Sequence, residues 1–277
     1  MNKLKSFLSA SKTNVVVFVL TAVLILSATI GAASAAISYI STYDSRMQMF
    51  DIGVTLLENG DRVSWRDYSS SAKSGWDENM GVLLTNMIPE GEEFALGKTY
   101  PEVLSVRNSG TINQYVRVSI YKYWVNPNEF VKDPDDGHLY NPKLLELDPS
   151  NIQLNILCDA TGHSNGWLLD RDSSTAERIV LYYNQLLHSE KDGSGATETS
   201  PFSDTLTINN DIASKVETIT TKNNGYTTFE YVYSYDGAQF IVEVQVDAVQ
   251  ENNAGDAILS AWGRNVGIGD DGSLYLH

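Results

Sequence analysis

Histidine, cysteine, serine and clustered carboxylates are the side chains from which a catalytic or metal site could be built, and here they are dispersed. The four histidines, His138, His163, His188 and His277, lie far apart, and none belongs to a His-Glu-x-x-His pair that would put two imidazoles on one helix face. Cys158 is the only cysteine, so no internal disulfide or Cys-based metal cage can form. Its neighbours Ile156, Leu157 and Ala160 predict a buried, inert thiol. No Gly-rich phosphate loop leads from a strand into a helix.

The nearest approach to a metal motif is Asp133-Pro134-Asp135-Asp136-Gly137. A calcium loop alternates its acids and closes with a glutamate at position twelve, whereas here the spacing differs and the twelfth residue from Asp133 is Leu144. Asp270-Asp271-Gly272 is shorter still. Asp-Gly pairs favour tight turns, so turns are expected at both places, with calcium at Asp133, Asp135 and Asp136 as the alternative. The expectation is a protein that is not an enzyme and carries no cofactor.

The elements that would hold any site read as strands. Phe50, Ile52, Val54 and Leu56 alternate with Asp51, Gly53 and Thr55, and Asn59-Gly60 ends that strand as a turn. Residues 59–81 read as a polar excursion with Trp65 and Trp76 as isolated anchors, and Val82 to Ile88 as a short apolar run. Val103 to Arg107 is extended. Gln114 to Val125 is the clearest central strand, with Val116, Val118 and Ile120 on one face and Tyr115, Arg117, Ser119, Tyr121 and Tyr123 on the other. Residues 126–150 form a second excursion with four prolines, Pro127, Pro134, Pro142 and Pro149, and Leu144-Leu145 could begin one helical turn.

Ile152 to Ile156 alternates again, Trp167 to Leu169 and Glu177 to Tyr183 read as a hairpin, and 188–200 as a loop. Thr205 to Ile208 is a short strand and Ile212 to Val216 a helical turn. Asp236-Gly237 predicts a two-residue hairpin turn. It would set Tyr235, Tyr233, Tyr231 and Phe229 opposite Ala238, Phe240, Val242 and Val244, so that the aromatic row is buried. No long amphipathic helix and no repeat is visible. Short strands separated by turns predict an all-β fold, an antiparallel β-sandwich with long loop excursions and a few short helices.

The N-terminus is different. Lys3, Lys5 and Lys12 precede an uncharged run, Val15 to Ile30, and Ala33-Ser34-Ala35 follows. A basic start, an apolar middle and an Ala-x-Ala end describe an export signal, with cleavage specified by Ala33 and Ala35. Residues 1–35 are thus the signal and 36–277 a single domain. The alternative is a retained anchor, since 15–36 could span a bilayer, which takes roughly 20 residues. Ala36 to Tyr43 is rich in β-branched and aromatic residues and uncharged. Such a freed terminus could donate a strand, within residues 36–48, to the open sheet edge of a second copy, through Ile37, Tyr39, Ile40 and Tyr43. The alternative is an edge strand of its own domain. A net charge of −16 repels nucleic acid and anionic lipid headgroups and suits a soluble exported protein. Export without disulfides fits a bacterium with one membrane.

Several segments in order resemble the TasA/camelysin family of exported Gram-positive proteins: Ser38-Tyr39-Ile40-Ser41-Thr42-Tyr43-Asp44-Ser45, Phe50-Asp51-Ile52-Gly53-Val54, Asn108-Ser109-Gly110-Thr111, Tyr115-Val116-Arg117-Val118, Val244 to Gln250, and Ala261-Trp262. Ile40 replaces a usual aromatic, and 263–277 extends beyond the family's usual end. The resemblance implies a jelly-roll-like sandwich, a SipW-type signal peptidase as processing partner, and head-to-tail self-assembly into biofilm-matrix fibres outside the cell. Matrix polysaccharide or other matrix proteins are further partners it suggests. Camelysin's metallopeptidase label has no matching site in these residues. A secreted adhesin or carbohydrate-binding module using Tyr121, Tyr123 and Trp124 is the alternative function.

Overall fold

The structure, a computed structural model, describes residues 52–68, 76–85, 87–135, 137–158, 165–223 and 226–277, without the side chains of 67, 68, 76, 78 and 216–232. The export signal with Ala33 and Ala35, the 36–48 segment with Ile37, Tyr39, Ile40 and Tyr43, and also Asp136 and His163, lie outside the described residues. Among the described residues no helix is long and apolar enough to cross a membrane.

Two antiparallel sheets face each other as an all-β sandwich. The first joins β1 (Val54–Glu58), β2 (Asp61–Tyr68), β3 (Trp76–Asn79), β4 (Thr99–Asn108), β8 (Ile152–Ile156) and β11 (Ser203–Ile208) in the order β3-β2-β1-β4-β11-β8. The second joins β5 (Gln114–Val125), β9 (Trp167–Leu169), β10 (Arg178–Tyr183) and β14 (Gln239–Gln250) in the order β14-β5-β10-β9. The chain changes sheet at β4→β5, β5→β8, β8→β9, β10→β11 and β11→β14. Smaller ribbons pair β6 (Val131–Lys132) with β7 (Leu139–Tyr140), β12 (Val216–Asn223) with β13 (Tyr226–Tyr233), and β15 (Val266–Ile268) with β16 (Leu274–Leu276).

Alternation in β5 explains two cores. Val116, Val118, Ile120 and Trp124 face the first sheet and pack with Leu56, Leu104, Val106, Leu154, Leu181, Leu206 and Val242. Each such burial is worth about 1.5–3 kcal/mol. On the outer face Tyr115 joins Leu168, Val180, Tyr182 and Val249 beneath the helix α1 (Ala254–Trp262) and the β15–β16 ribbon, through Ile258, Val266 and Leu274. β5 is thus covered on both sides at its Tyr115 end, while Arg117, Ser119, Tyr121 and Tyr123 continue the outer face.

Three expectations are corrected. The 59–81 excursion holds β2 and β3: Asn59 and Gly60 both have positive φ, the geometry of a two-residue hairpin turn, and it returns the chain alongside β1. Trp65 therefore sits in a strand, its Nε1 donating to Asp77 (3.2 Å). Second, Asp236-Gly237 turns, with Gly237 at φ +72, but builds no hairpin between β13 and β14: β13 pairs with β12 and β14 with β5. Val242 is opposite Lys122, not Tyr231. Tyr233 is 56% exposed, whereas Tyr235 packs edge-on against Trp124 (4.9 Å). The Phe229 and Tyr231 side chains lie outside the described residues. Third, α1 occupies 254–262, where no helix was expected.

Candidate functional site: an open sheet edge and its groove

The twelve residues of β14 pair with β5 in unbroken register from Gln239↔Val125 to Gln250↔Gln114. On its other side β14 has no strand partner among the described residues. A long strand edge offers a row of main-chain donors and acceptors to another extended segment.

Beside that edge runs a cavity of about 1000 Å³, bounded by Leu56, Val63, Met80, Leu84, Met87 and the Phe240–Val246 stretch. It continues into a lobe of about 450 Å³ along Val54, Trp65 and Val244. The walls are mixed, Ser64, Arg66, Asn79, Glu243 and Gln245 interrupting the apolar side chains, and Met80 (95%) and Val82 (77%) stand exposed. Local chemistry explains the wall. A Cβ on Gly81 would lie 1.8 Å from the Val63 carbonyl oxygen, so only glycine lets this segment run hard against β2. The apolar run 82–88 forms no strand; it turns at 83–85, presenting Leu83 and Leu84 to the core and burying Met87.

The residues of the family-like motifs meet in space, and their contacts are architectural. The buried Asn108 donates from Nδ2 to the Ile112 and Leu187 carbonyls (2.9 and 3.0 Å) and accepts the Gly110 N–H at Oδ1 (2.9 Å). Gln114 donates to the Gly53 carbonyl (2.9 Å). Arg117 bonds Asp247 and lies 5.2 Å from the Trp262 ring, so three separate motifs converge on the outer face of β5 and β14.

The acidic candidates make turns. Asp133 Oδ1 accepts the Asp135 N–H (2.8 Å) and its carbonyl the Gly137 N–H (2.9 Å), closing the β6–β7 hairpin. Asp271 Oδ1 accepts the Ser273 N–H and hydroxyl in the β15–β16 turn. Among the described residues no three His, Cys, Asp or Glu side chains come together as a metal group.

One Ser-His-Asp cluster escaped the sequence reading. Within the 188–200 loop, His188 Nδ1 lies 2.6 Å from Asp192 Oδ2 and 3.1 Å from Ser194 Oγ, and Ser194 donates directly to the same Asp192 oxygen (2.5 Å). A proton relay needs acid and nucleophile on opposite ring nitrogens; here both share one nitrogen, and Gly195 packs against Cδ2 and Nε2. Hydrogen bonds from Ser194, His188 and Asn113 hold the Asp192 carboxyl down to about 2, as befits a loop clasp.

The aromatic platform is corrected in part. Trp124 is buried, 3% exposed, its Nε1 donating to the Asp148 carbonyl (3.1 Å). Tyr121 and Tyr123 are half-buried on the outer face with cations over their rings, Arg178 at 5.8 Å and Lys143 at 4.0 Å. Burial raises the Tyr123 hydroxyl above its ordinary range, and Glu243, which accepts its hydrogen bond (3.3 Å), adds to this.

Comparison of the chain with protein-family models, with curated proteins and with solved structures returned no match.

Proposed function

We propose that this chain is an exported structural subunit of an extracellular fibre, assembling head to tail, with the groove along β14 as the acceptor for the strand-prone segment 36–43 of the next copy. The observation that carries this reading is the twelve-residue edge of β14, without a strand partner among the described residues, beside a partly apolar groove of about 1000 Å³. The segment is uncharged and alternates Ile37 and Tyr39 with Ser38 and Ile40, and the groove offers it apolar contacts at Leu56, Val63, Leu84, Val242, Val244 and Val246. At about 3.3 Å per residue, eight extended residues fit within the length of a twelve-residue edge. A contact that uses different surfaces on the two copies repeats without closing and yields a filament. The resemblance to the TasA/camelysin family supports the same class, and with it export by a Gram-positive cell. The adhesin reading loses its platform with Trp124 buried and the tyrosine rings capped by cations.

The test is electron microscopy and light scattering on residues 36–277, on a chain starting at 47, and on Met80→Glu/Val82→Glu, whose positions are exposed. Fibres from the first alone support the proposal, provided both altered chains fold. Equal elongation by all three rejects it, and failure of the shorter chain to fold assigns the segment to its own core.

A further inference from the structure

The even-numbered residues of β4 face the sandwich interior: Tyr100, Leu104 and Val106 belong to the main core, and Glu102 stands among them, fully buried. Neither of its carboxyl oxygens has a hydrogen-bond donor. An ionised carboxylate in that position is costly, because water is excluded and nothing replaces it. The neighbouring acid is Glu58, at the end of β1, directly opposite Leu104 and so on the same face, one step along from Glu102.

Glu58 has a second task. Its Oε1 accepts the Leu84 N–H at 2.6 Å. Leu84 sits at φ +66, a left-handed conformation that a leucine adopts only when its surroundings hold it there. Its carbonyl in turn accepts the Met87 N–H (3.2 Å), closing the turn that brings Leu83, Leu84 and Met87 to the groove. A strained turn is thus tied to a carboxylate whose neighbour is a buried acid.

We propose that Glu58 and Glu102 form a proton-operated latch that holds the 83–87 turn against β1 and so sets the floor of the groove beside β14. With Glu102 neutral, Glu58 can remain beside it and keep Leu84 in place. When Glu102 ionises, two carboxylates face each other in the interior. Glu58, half-exposed, is the one that can swing to water, releasing the Leu84 N–H and the turn. Burial pushes the Glu102 carboxyl up, and Glu58 beside it adds to the shift, to about 8. The folded value lies above the ordinary one, so the latch's stability is complete below the ordinary glutamate range. It is lost as the pH rises through about 8.

The other charged and titratable groups around the pair are engaged elsewhere or exposed. Asp61, opposite Glu58 across the β1–β2 turn, is exposed. Lys98 pairs with Glu92, and the Tyr100 hydroxyl accepts the Ala95 N–H (2.7 Å). On β5, Lys122 donates to the Ile152 carbonyl (2.7 Å). Asp204 on β11 accepts from Asn155 (2.8 Å), and Glu243 on β14 binds Tyr123 on the outer face. The 83–88 segment contributes no charge. The latch is independent of what occupies the groove.

The test is amide hydrogen exchange at Leu84 and Met87 from pH 5 to 9, corrected for intrinsic rates, in the wild-type chain and in Glu102→Gln and Glu58→Gln. The wild-type opening constant is expected to rise by up to about tenfold per pH unit and to level off above about 8. Glu102→Gln should flatten this rise, and Glu58→Gln, which keeps an acceptor for the Leu84 N–H but removes the charge that Glu102 repels, should flatten it too. A flat wild-type profile, or an unchanged slope in Glu102→Gln, overturns the latch. Carbon NMR of the wild-type Glu102 carboxyl provides a readout that needs no variant: titration near 8 supports the proposal, and titration in the ordinary glutamate range overturns it.

Discussion

Arg117 and Asp247 lie 130 residues apart in sequence, yet they are directly opposed on β5 and β14 and share one carboxylate oxygen, which accepts from Nε at 3.1 Å and from a terminal nitrogen at 2.7 Å. Both are largely shielded from water, and the guanidinium also lies over Trp262 of α1. The pair therefore fixes both the β14 register and the helix that covers the outer core. Arg117→Ala is expected to cost about 2–3 kcal/mol, from charged hydrogen bonds and the cation–π contact together. Asp247→Asn should cost less. A double-mutant cycle in urea unfolding measures the coupling; a value near zero would refute this role.

Lys122 is the charge in the main core. It is 7% exposed, and burial lowers its pKa below the ordinary lysine value while Asp148 opposes the shift. Between the lowered and the ordinary values the unfolded chain binds more protons, so stability should rise with pH across that window. Lys122→Met should remove this rise and leave stability roughly unchanged, because a neutral side chain of similar volume replaces a buried charge. Lys122→Ala, which leaves a cavity, should cost about 2–5 kcal/mol. Unfolding midpoints across the alkaline range for the three chains check each part.

Two glycines separate strain from collision. Gly60, at φ +90 with open space around its Cβ position, should lose about 1–2 kcal/mol on replacement by alanine through backbone strain alone. Gly81→Ala meets the Val63 carbonyl and must displace backbone, so its cost, about 1–3 kcal/mol, should be accompanied by altered amide shifts along β2. Unchanged β2 shifts in Gly81→Ala would contradict the close approach.

The His188-Asp192-Ser194 loop is expected to behave as a clasp and not as a nucleophile. His188→Ala and Ser194→Ala should leave any background ester or peptide hydrolysis by the purified chain unchanged. With its folded value held down to about 2, Asp192 keeps the clasp closed above the ordinary aspartate range and releases it as the pH falls through about 2. Loop amide shifts followed during acid titration report that release; opening already at pH 4 would contradict it.

Legibility varied with how local the causes were. β5, β8, β9 and β10 were readable because their alternation or apolar runs are set by the two layers they touch. The 3-10 turn at Asn210–Ser214 was nearly placed by its neighbouring signals. β2 is hidden although Asn59-Gly60 announces a hairpin, because Asp61, Arg62, Arg66 and Asp67 make its strand look like a loop. The helix α1 carries a readable stop, Gly263 at φ +66, and an apolar face of Ala254, Ala257 and Ile258, but its nine residues are too short for a strong periodic signal. The pairing of β14 is a different matter. Asp236-Gly237 is a sound turn signal, but which strand β14 joins is decided by β5, far away in sequence. The groove is equally hidden, since its walls come from residues 54–94 and 239–246.

That distant partnership has a cost in time. Val125, the last residue of β5, pairs with Gln239, and the β5 edge that receives β14 has no partner until that part of the chain has been made. At about 5–20 residues per second, the edge waits on the order of ten seconds during synthesis. Over that interval one of the most apolar strands of the molecule offers its main chain to any passing segment, so a chain whose synthesis stalls before residue 239 carries an uncapped sheet. Truncated products ending there should be the aggregating species in any preparation, and they should be separable from the full chain by size alone.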